Sequence, residues 1–257
     1  MYPPADLRVQ NFDLRYPGSK MNPNVLVLHT TETGTFPSYE GGSVAPHLTA
    51  LPDLKRKRLV WRQHFPLDMS ARALRNDAGG TETNTLNAVQ IELVGTCSKA
   101  YKERYGYFYW PDAPDWALRD LAKFVAWLDE EWTDFRIANA APRGWLAYPN
   151  SYGDNNHQRM SIPEWRNAYG IVGHQHVPEN VHGDPGDLKI ARLLRFALDT
   201  AGQQEVPVQG QLPVAAPEPA SPNRVQKARA LLRDARVDSH GKKKQRIKRA
   251  LKALRIT

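Results

Sequence analysis

Ahead of residue 203 the apolar positions follow two rhythms, one suited to strands and one to helices. NVLVLHTTE (24–32) opens on an unbroken aliphatic run and ends in polar residues. That is the pattern of a strand buried on both faces that surfaces at its carboxyl end. RLVWRQHF (58–65) predicts a second strand. In AVQIELVG (88–95), Val89, Ile91 and Leu93 alternate with Gln90 and Glu92, so one face is apolar and the other presents an amide and a carboxylate. From Asp115 onward, Leu118, Leu121, Val125, Leu128 and Trp132 recur at helical spacing, with Asp115 placed to cap the helix. Ile190, Leu194 and Ala197 form one stripe of a last helix, for which Asp187 is the candidate cap. Between these helices, residues 136–170 are long, polar and aromatic. A connection of that length is uncommon unless it is functional or mobile. The order of elements predicts an α/β domain, with a mixed central β-sheet of five or six strands flanked by helices.

Composition changes this picture at one boundary. Residues 203–223 hold five prolines and little that could pack, as a semi-extended linker would. The chain therefore divides into a body over 1–202, a Pro-rich linker over 203–222 and a C-terminal segment over 223–257. That last segment holds thirteen Lys and Arg against Asp234 and Asp238, a charge of +11, which leaves −3 on the other 222 residues. Arguments about anionic partners thus concern the tail alone. Val225, Ala228, Leu232 and Ala235 make one narrow stripe there, and Ile247, Leu251 and Leu254 another, so two short basic helices broken at DSHG are expected. A basic amphipathic helix suits an anionic wall polymer or membrane surface; a solvated, solubilising tail is the plainer alternative.

Cys97 is the single cysteine, which excludes an intrachain disulfide and a multi-cysteine zinc site. The opening MYPPADLRVQNFDLRYPGSK lacks the basic-then-apolar layout of a signal peptide, and no apolar run approaches the ~18 residues of a membrane span. Synthesis in the cytosol is the expectation, with another exit needed for any work outside the membrane.

GHQHVPENVHGDPGDL (173–188) gathers three histidines and two aspartates on a backbone punctuated by glycine and proline. Catalytic zinc commonly takes three His, Asp or Glu ligands and leaves a position open for water. A loop can bring His174 back towards Asp184, and His29 stands at the carboxyl end of its strand, where sites in α/β sheets gather. On spacing alone, a metal site and a histidine-rich polar loop both remain open. His176, two residues from His174, is a rival ligand.

VLVLHTTE, APHLTA (45–50), NAVQIELVG (87–95) and GHQHVPENVHGDPGDL stand in the order used by zinc-dependent N-acetylmuramoyl-L-alanine amidases. The chain resembles that family, which includes bacterial and phage peptidoglycan amidases and peptidoglycan recognition proteins, over residues 20–200. The resemblance implies the family's mixed sheet and Zn²⁺ on His29, His174 and Asp184. It implies Glu92 as the base, and His182 as the group that holds the oxyanion or protonates the leaving amine, at a position where many relatives carry lysine. It places His47 along a substrate groove and gives His176 a supporting role; Gln90, on the polar face of its strand, and Trp145, an aromatic that could stack on a sugar or simply pack, are assigned to the same groove. Two departures stand out: SARALRN (70–76) replaces the family's Trp-His-x-Gly, and 136–170 reads as an extended loop. With the basic tail and no signal peptide, the chain looks most like an endolysin of an actinobacterial phage. A monomer acting on peptidoglycan after holin-dependent release is then expected. The competing readings are a catalytically silent peptidoglycan-binding module and a nucleic-acid-binding protein. The intact ligand set argues against the first, and the acidic body against specific nucleic acid as partner.

Overall fold

The computed structural model describes residues 1–84, 87–153 and 157–203. The linker beyond Gln203 and the basic segment over 223–257 lie outside the described residues. Five strands form one sheet among the described residues: β1 (Val25–Thr30), β2 (Leu48–Asp53), β3 (Arg58–Gln63), β4 (Ala88–Leu93) and β5 (Gly170–Gly173), in the order β3-β2-β4-β1-β5. β2, β4, β1 and β5 run parallel, and β3 turns back antiparallel at one edge. The fold is thus the expected mixed α/β sheet flanked by helices. β1 is buried along its whole length, as its unbroken aliphatic run requires.

Side chains alternate across a strand, and register partners in a parallel pair share a face. Leu26 and Leu28 of β1, Val89, Ile91 and Leu93 of β4, Leu48 and Ala50 of β2 and Trp61 of β3 therefore point one way. They form the main core with α2 (Asp115–Glu131) and α4 (Ile190–Gln203). Leu118, Leu121, Val125 and Leu128 are buried as their spacing predicts. Trp132 instead caps the carboxyl end of α2, half-buried and edge-on to Trp127 at 5.7 Å. Neither candidate cap works as one: Pro114 stands at the N-cap of α2, and Asp115 pairs with Arg192 at 2.6 Å. Asp187 lies three residues ahead of α4, near Lys189. The α4 stripe is also turned slightly from the one predicted. Leu193, Phe196 and Ala197 are buried, while Ile190 and Leu194 pack at its margin.

The opposite parity carries the polar residues. Val25, Val27 and Ala88 build a smaller core on that face with Leu74, Met160 and Trp165. Further along the same rows come His29, Glu92 and Thr49. Two helices were not foreseen: α1 (Lys99–Tyr105), and α3 (Ile162–Arg166), which starts on a capping box made by Ser161 and Glu164. α3 lies within the 136–170 stretch, whose other described residues are mostly irregular. No helix among the described residues is long and apolar enough to cross a membrane.

Candidate metal centre

β1 ends by carrying His29 to the carboxyl edge of the sheet, and β5 delivers the chain to His174 immediately after Gly173. A short 3-10 turn over His174–His176 then starts a loop that returns to the sheet at Asp184. There the Thr30 N–H donates to Asp184 Oδ2 at 3.0 Å. His29, His174 and Asp184 are all buried, and each offers a donor atom within 4.8 Å of the others. The two Nδ1 atoms are 3.0 Å apart; His174 Nδ1 lies 3.3 Å from Asp184 Oδ1, and His29 Nδ1 lies 3.7 Å from Oδ2.

These spacings suit a small dication. Zinc bonds of about 2.0–2.1 Å in a tetrahedron set neighbouring donors roughly 3.3 Å apart, in the middle of the observed range. Two imidazoles and a carboxylate are an ordinary ligand set for that ion. The tautomers support it as well: His174 Nε2 is paired with Asn180 Oδ1 at 3.0 Å, so a proton on Nε2 leaves the Nδ1 lone pair facing the centre. Burial, with His174 next to it, lowers the His29 pKa well below its ordinary value and keeps the ring neutral. Burial alone would raise the Asp184 pKa, but the neighbouring histidines outweigh it and hold the carboxylate below its usual range.

The surrounding shell fixes the loop. Arg159 is buried, and its five N–H groups go to four carbonyls: Gly153, His174, Val177 and His182. One guanidinium therefore ties together the start, middle and end of the segment between the two loop ligands. Asn180 also accepts from the Arg75 N–H at 3.0 Å, so the SARALRN segment helps to orient His174. Gly173 admits no side chain, because a Cβ there would lie 2.8 Å from both Pro185 Cδ and Trp145 Cζ3.

Glu92 is the register partner of His29 across β1 and β4. Its Oε2 is buried without a hydrogen-bond partner among the described residues. Burial first, then the charges of Asp184 and Glu32, raise its pKa well above the ordinary carboxylate value. His182 stacks on His174 with ring centroids 5.0 Å apart and planes 12° from parallel. Burial and His174 lower its pKa, against Asp184, so it sits beside the ligands as a neutral imidazole.

His47, Gln90 and Trp145 stand differently. His47 is buried, with Nε2 against the Met69 carbonyl at 2.7 Å and Nδ1 accepting from the Gln90 N–H at 3.0 Å. The Gln90 amide is buried too, bonded to the Ala73 N–H and to Asn84. Both brace the sheet beneath the 70–84 segment, which covers the face where a groove was expected. Trp145 is half-buried, donates to Asn139 and stands edge-on to His176 at 4.8 Å. His176 turns away from the cluster: Nδ1 accepts from the Gly173 N–H at 2.9 Å, and Nε2 pairs with the Gly144 carbonyl at 2.9 Å. Arg159 and Asn180 escaped the reading of the sequence. Each is one polar residue in a polar stretch, and only the carbonyls that the folded loop turns inward give it a role.

No family model and no curated protein matches this chain. Among solved structures it is similar to a mutant structure of PlyL, at 14% identity and a TM-score of 0.29, over 45% of this chain and 65% of that one. Likeness at that level carries no argument about function, which rests on the site itself.

Proposed function

We propose that the chain is a zinc-dependent peptidoglycan hydrolase that cleaves the amide between N-acetylmuramic acid and L-alanine, working as a phage endolysin. The observation that carries this reading is the buried His29–His174–Asp184 cluster, with an unpartnered carboxylate oxygen of Glu92 on the same sheet face. The order of motifs along residues 20–200 supports the substrate class.

When bound, zinc would supply a Lewis acid and a water acidified towards neutrality. His29, His174 and Asp184 would hold it, with Thr30 and Asn180 keeping two of the ligands in line. Glu92 takes the proton of the attacking water at a carboxylate oxygen. Its raised pKa makes it a stronger base than an exposed glutamate. His182, held flat against His174, donates a hydrogen bond to the oxyanion or a proton to the departing amine of L-alanine. The basic segment over 223–257 brings the enzyme to an anionic wall or membrane surface.

Mass spectrometry of digested peptidoglycan tests the bond. New amino-terminal L-alanine that disappears with chelator is the expected product; new reducing sugar ends would overturn the reading. A silent peptidoglycan-binding module would yield neither.

A further inference from the structure

A cleft opens on the same carboxyl edge of the sheet, at the ends of β2 and β4. Its volume is 280 Å³, and its lining includes Thr33, Gly34, Leu51, Gly95, Tyr105 and Tyr107. This is just below the range of about 300–1,000 Å³ for drug-sized ligand clefts, and suits one sugar ring rather than a long segment. Thr33 is four residues past His29, so the cleft begins within about 14 Å of the metal cluster. Glu32 lies between them and joins the two regions, accepting from Thr30 Oγ1 at 2.7 Å and from the Cys97 N–H at 3.0 Å.

One wall of the cleft is Tyr105–Phe108, where the chain leaves α1, a helix of seven residues that buries none of its side chains. A helix this short is marginal without tertiary packing. Here it is pinned by its ends, with Ser98 as N-cap and Gly106 in the left-handed conformation at φ 71°. The helix and the residues just after it carry a run of aromatic rings, Tyr101 and Tyr105 exposed and Tyr107 half-buried. Tyr101 is edge-on to Tyr105 at 5.5 Å, and Tyr105 lies nearly parallel to Tyr107 at 5.2 Å and 25°. Tyr107 closes over Gly34, where a Cβ would come within 3.1 Å of the ring. Tyr101 and Tyr105 stay 43% and 48% exposed, which nothing in the packing of the fold requires.

We propose that this tyrosine-walled cleft is a saccharide subsite that grips the glycan strand beside the amide to be cut. A pyranose ring has a C–H face that lies on an aromatic plane and a rim of hydroxyls for polar neighbours. The cleft offers both, in Tyr105 and Tyr107 and in Thr33 Oγ1, which donates to the Thr35 carbonyl at 2.8 Å and can still accept from a sugar hydroxyl. Its position on the edge that carries the metal cluster makes it reachable by the same polymer. The net charge of −3 on residues 1–222 disfavours nucleic acid as the stacked ligand. The inference rests on the amidase reading and names the part of the substrate held away from the scissile bond.

The test is calorimetric titration of the full-length protein with tetra-N-acetylchitotetraose, in chelator so that no turnover intervenes. Saturable binding is expected, with Tyr105→Ala weakening it about tenfold, the scale of one lost aromatic contact. Tyr105→Trp and Glu92→Gln should bind as the unaltered chain does. Absence of saturable binding, or equal affinity for Tyr105→Ala, would overturn the subsite. So would binding of the free stem peptide in place of the saccharide. Failure of the amidase reading shows separately, as absence of chelator-sensitive amide cleavage by the metal-loaded protein.

Discussion

His29 and Glu92 sit opposite one another in the parallel pairing of β1 with β4, on the sheet face turned away from α2 and α4. One is a donor to the candidate metal centre; the other is a carboxylate with a buried, unpartnered oxygen. The pleat makes them neighbours, so the strand register itself places the carboxylate beside the candidate metal centre. Glu92→Gln keeps the shape and removes the base. Amide cleavage should fall by about 10²–10⁴-fold, with zinc affinity unchanged and stability equal or higher, because a buried charge near Asp184 is gone. Zinc titration beside the rate decides it; activity within a few-fold of normal would remove Glu92 from the chemistry.

Arg159 spends all its N–H groups on backbone carbonyls of the loop between His174 and Asp184 and of Gly153. Arg159→Met leaves those carbonyls without their donor and should cost about 3 kcal/mol of stability. Zinc affinity should fall with it, although Arg159 touches no ligand side chain. Arg159→Lys, with fewer donors, should lie between the two. Urea unfolding with and without zinc reads both effects. A variant that keeps normal zinc affinity would show that the loop holds its shape unaided.

Burial holds His47, His64 and His176 neutral, with pKa values lowered to about 4. In the unfolded chain the same rings titrate near ~6.5. The unfolded state therefore binds more protons between these values, and stability rises with pH across that window. It should be fully present above pH ~6.5 and be lost as pH falls towards about 4, with a slope of about 1.4 kcal/mol per pH unit for each histidine. Denaturation midpoints measured across the window give the slope. His64→Gln should reduce it, and a flat profile would mean that these rings are protonated in the folded protein.

The tail prediction concerns binding alone. Removing residues 203–257 takes away thirteen Lys and Arg and four acidic residues, a net charge of +9, and leaves −1 on residues 1–202. Pull-down on isolated cell walls should then weaken, and the intact chain's binding should decline steeply with salt. Unchanged wall binding by the truncated chain would assign the tail no targeting role.

Strong periodicity made β1, β4 and α2 legible, because each buries a long apolar face whose period is set by its own geometry. β5 was harder to read: GIVG is four residues flanked by glycine, too short for a pattern. β2 contains Pro52, which argues against a strand unless register with its neighbours is known. α1 buries nothing, so it has no apolar stripe to announce it. At the site, the motifs pointed to His29, His174 and Asp184, which the fold brings within 4.8 Å of one another, and to Glu92, the register partner of His29. The fully buried settings of His47 and Gln90 depend on which segment covers the sheet, and no local spacing encodes that.

The account stands on one ion shared by three side chains. A crystal soaked in zinc and measured on both sides of the zinc absorption edge locates it directly. A single anomalous peak within bonding distance of His29 Nδ1, His174 Nδ1 and an Asp184 carboxylate oxygen is the predicted result, lost in His174→Ala and kept in His176→Ala. No peak among those three residues, or a peak on His176, would contradict it.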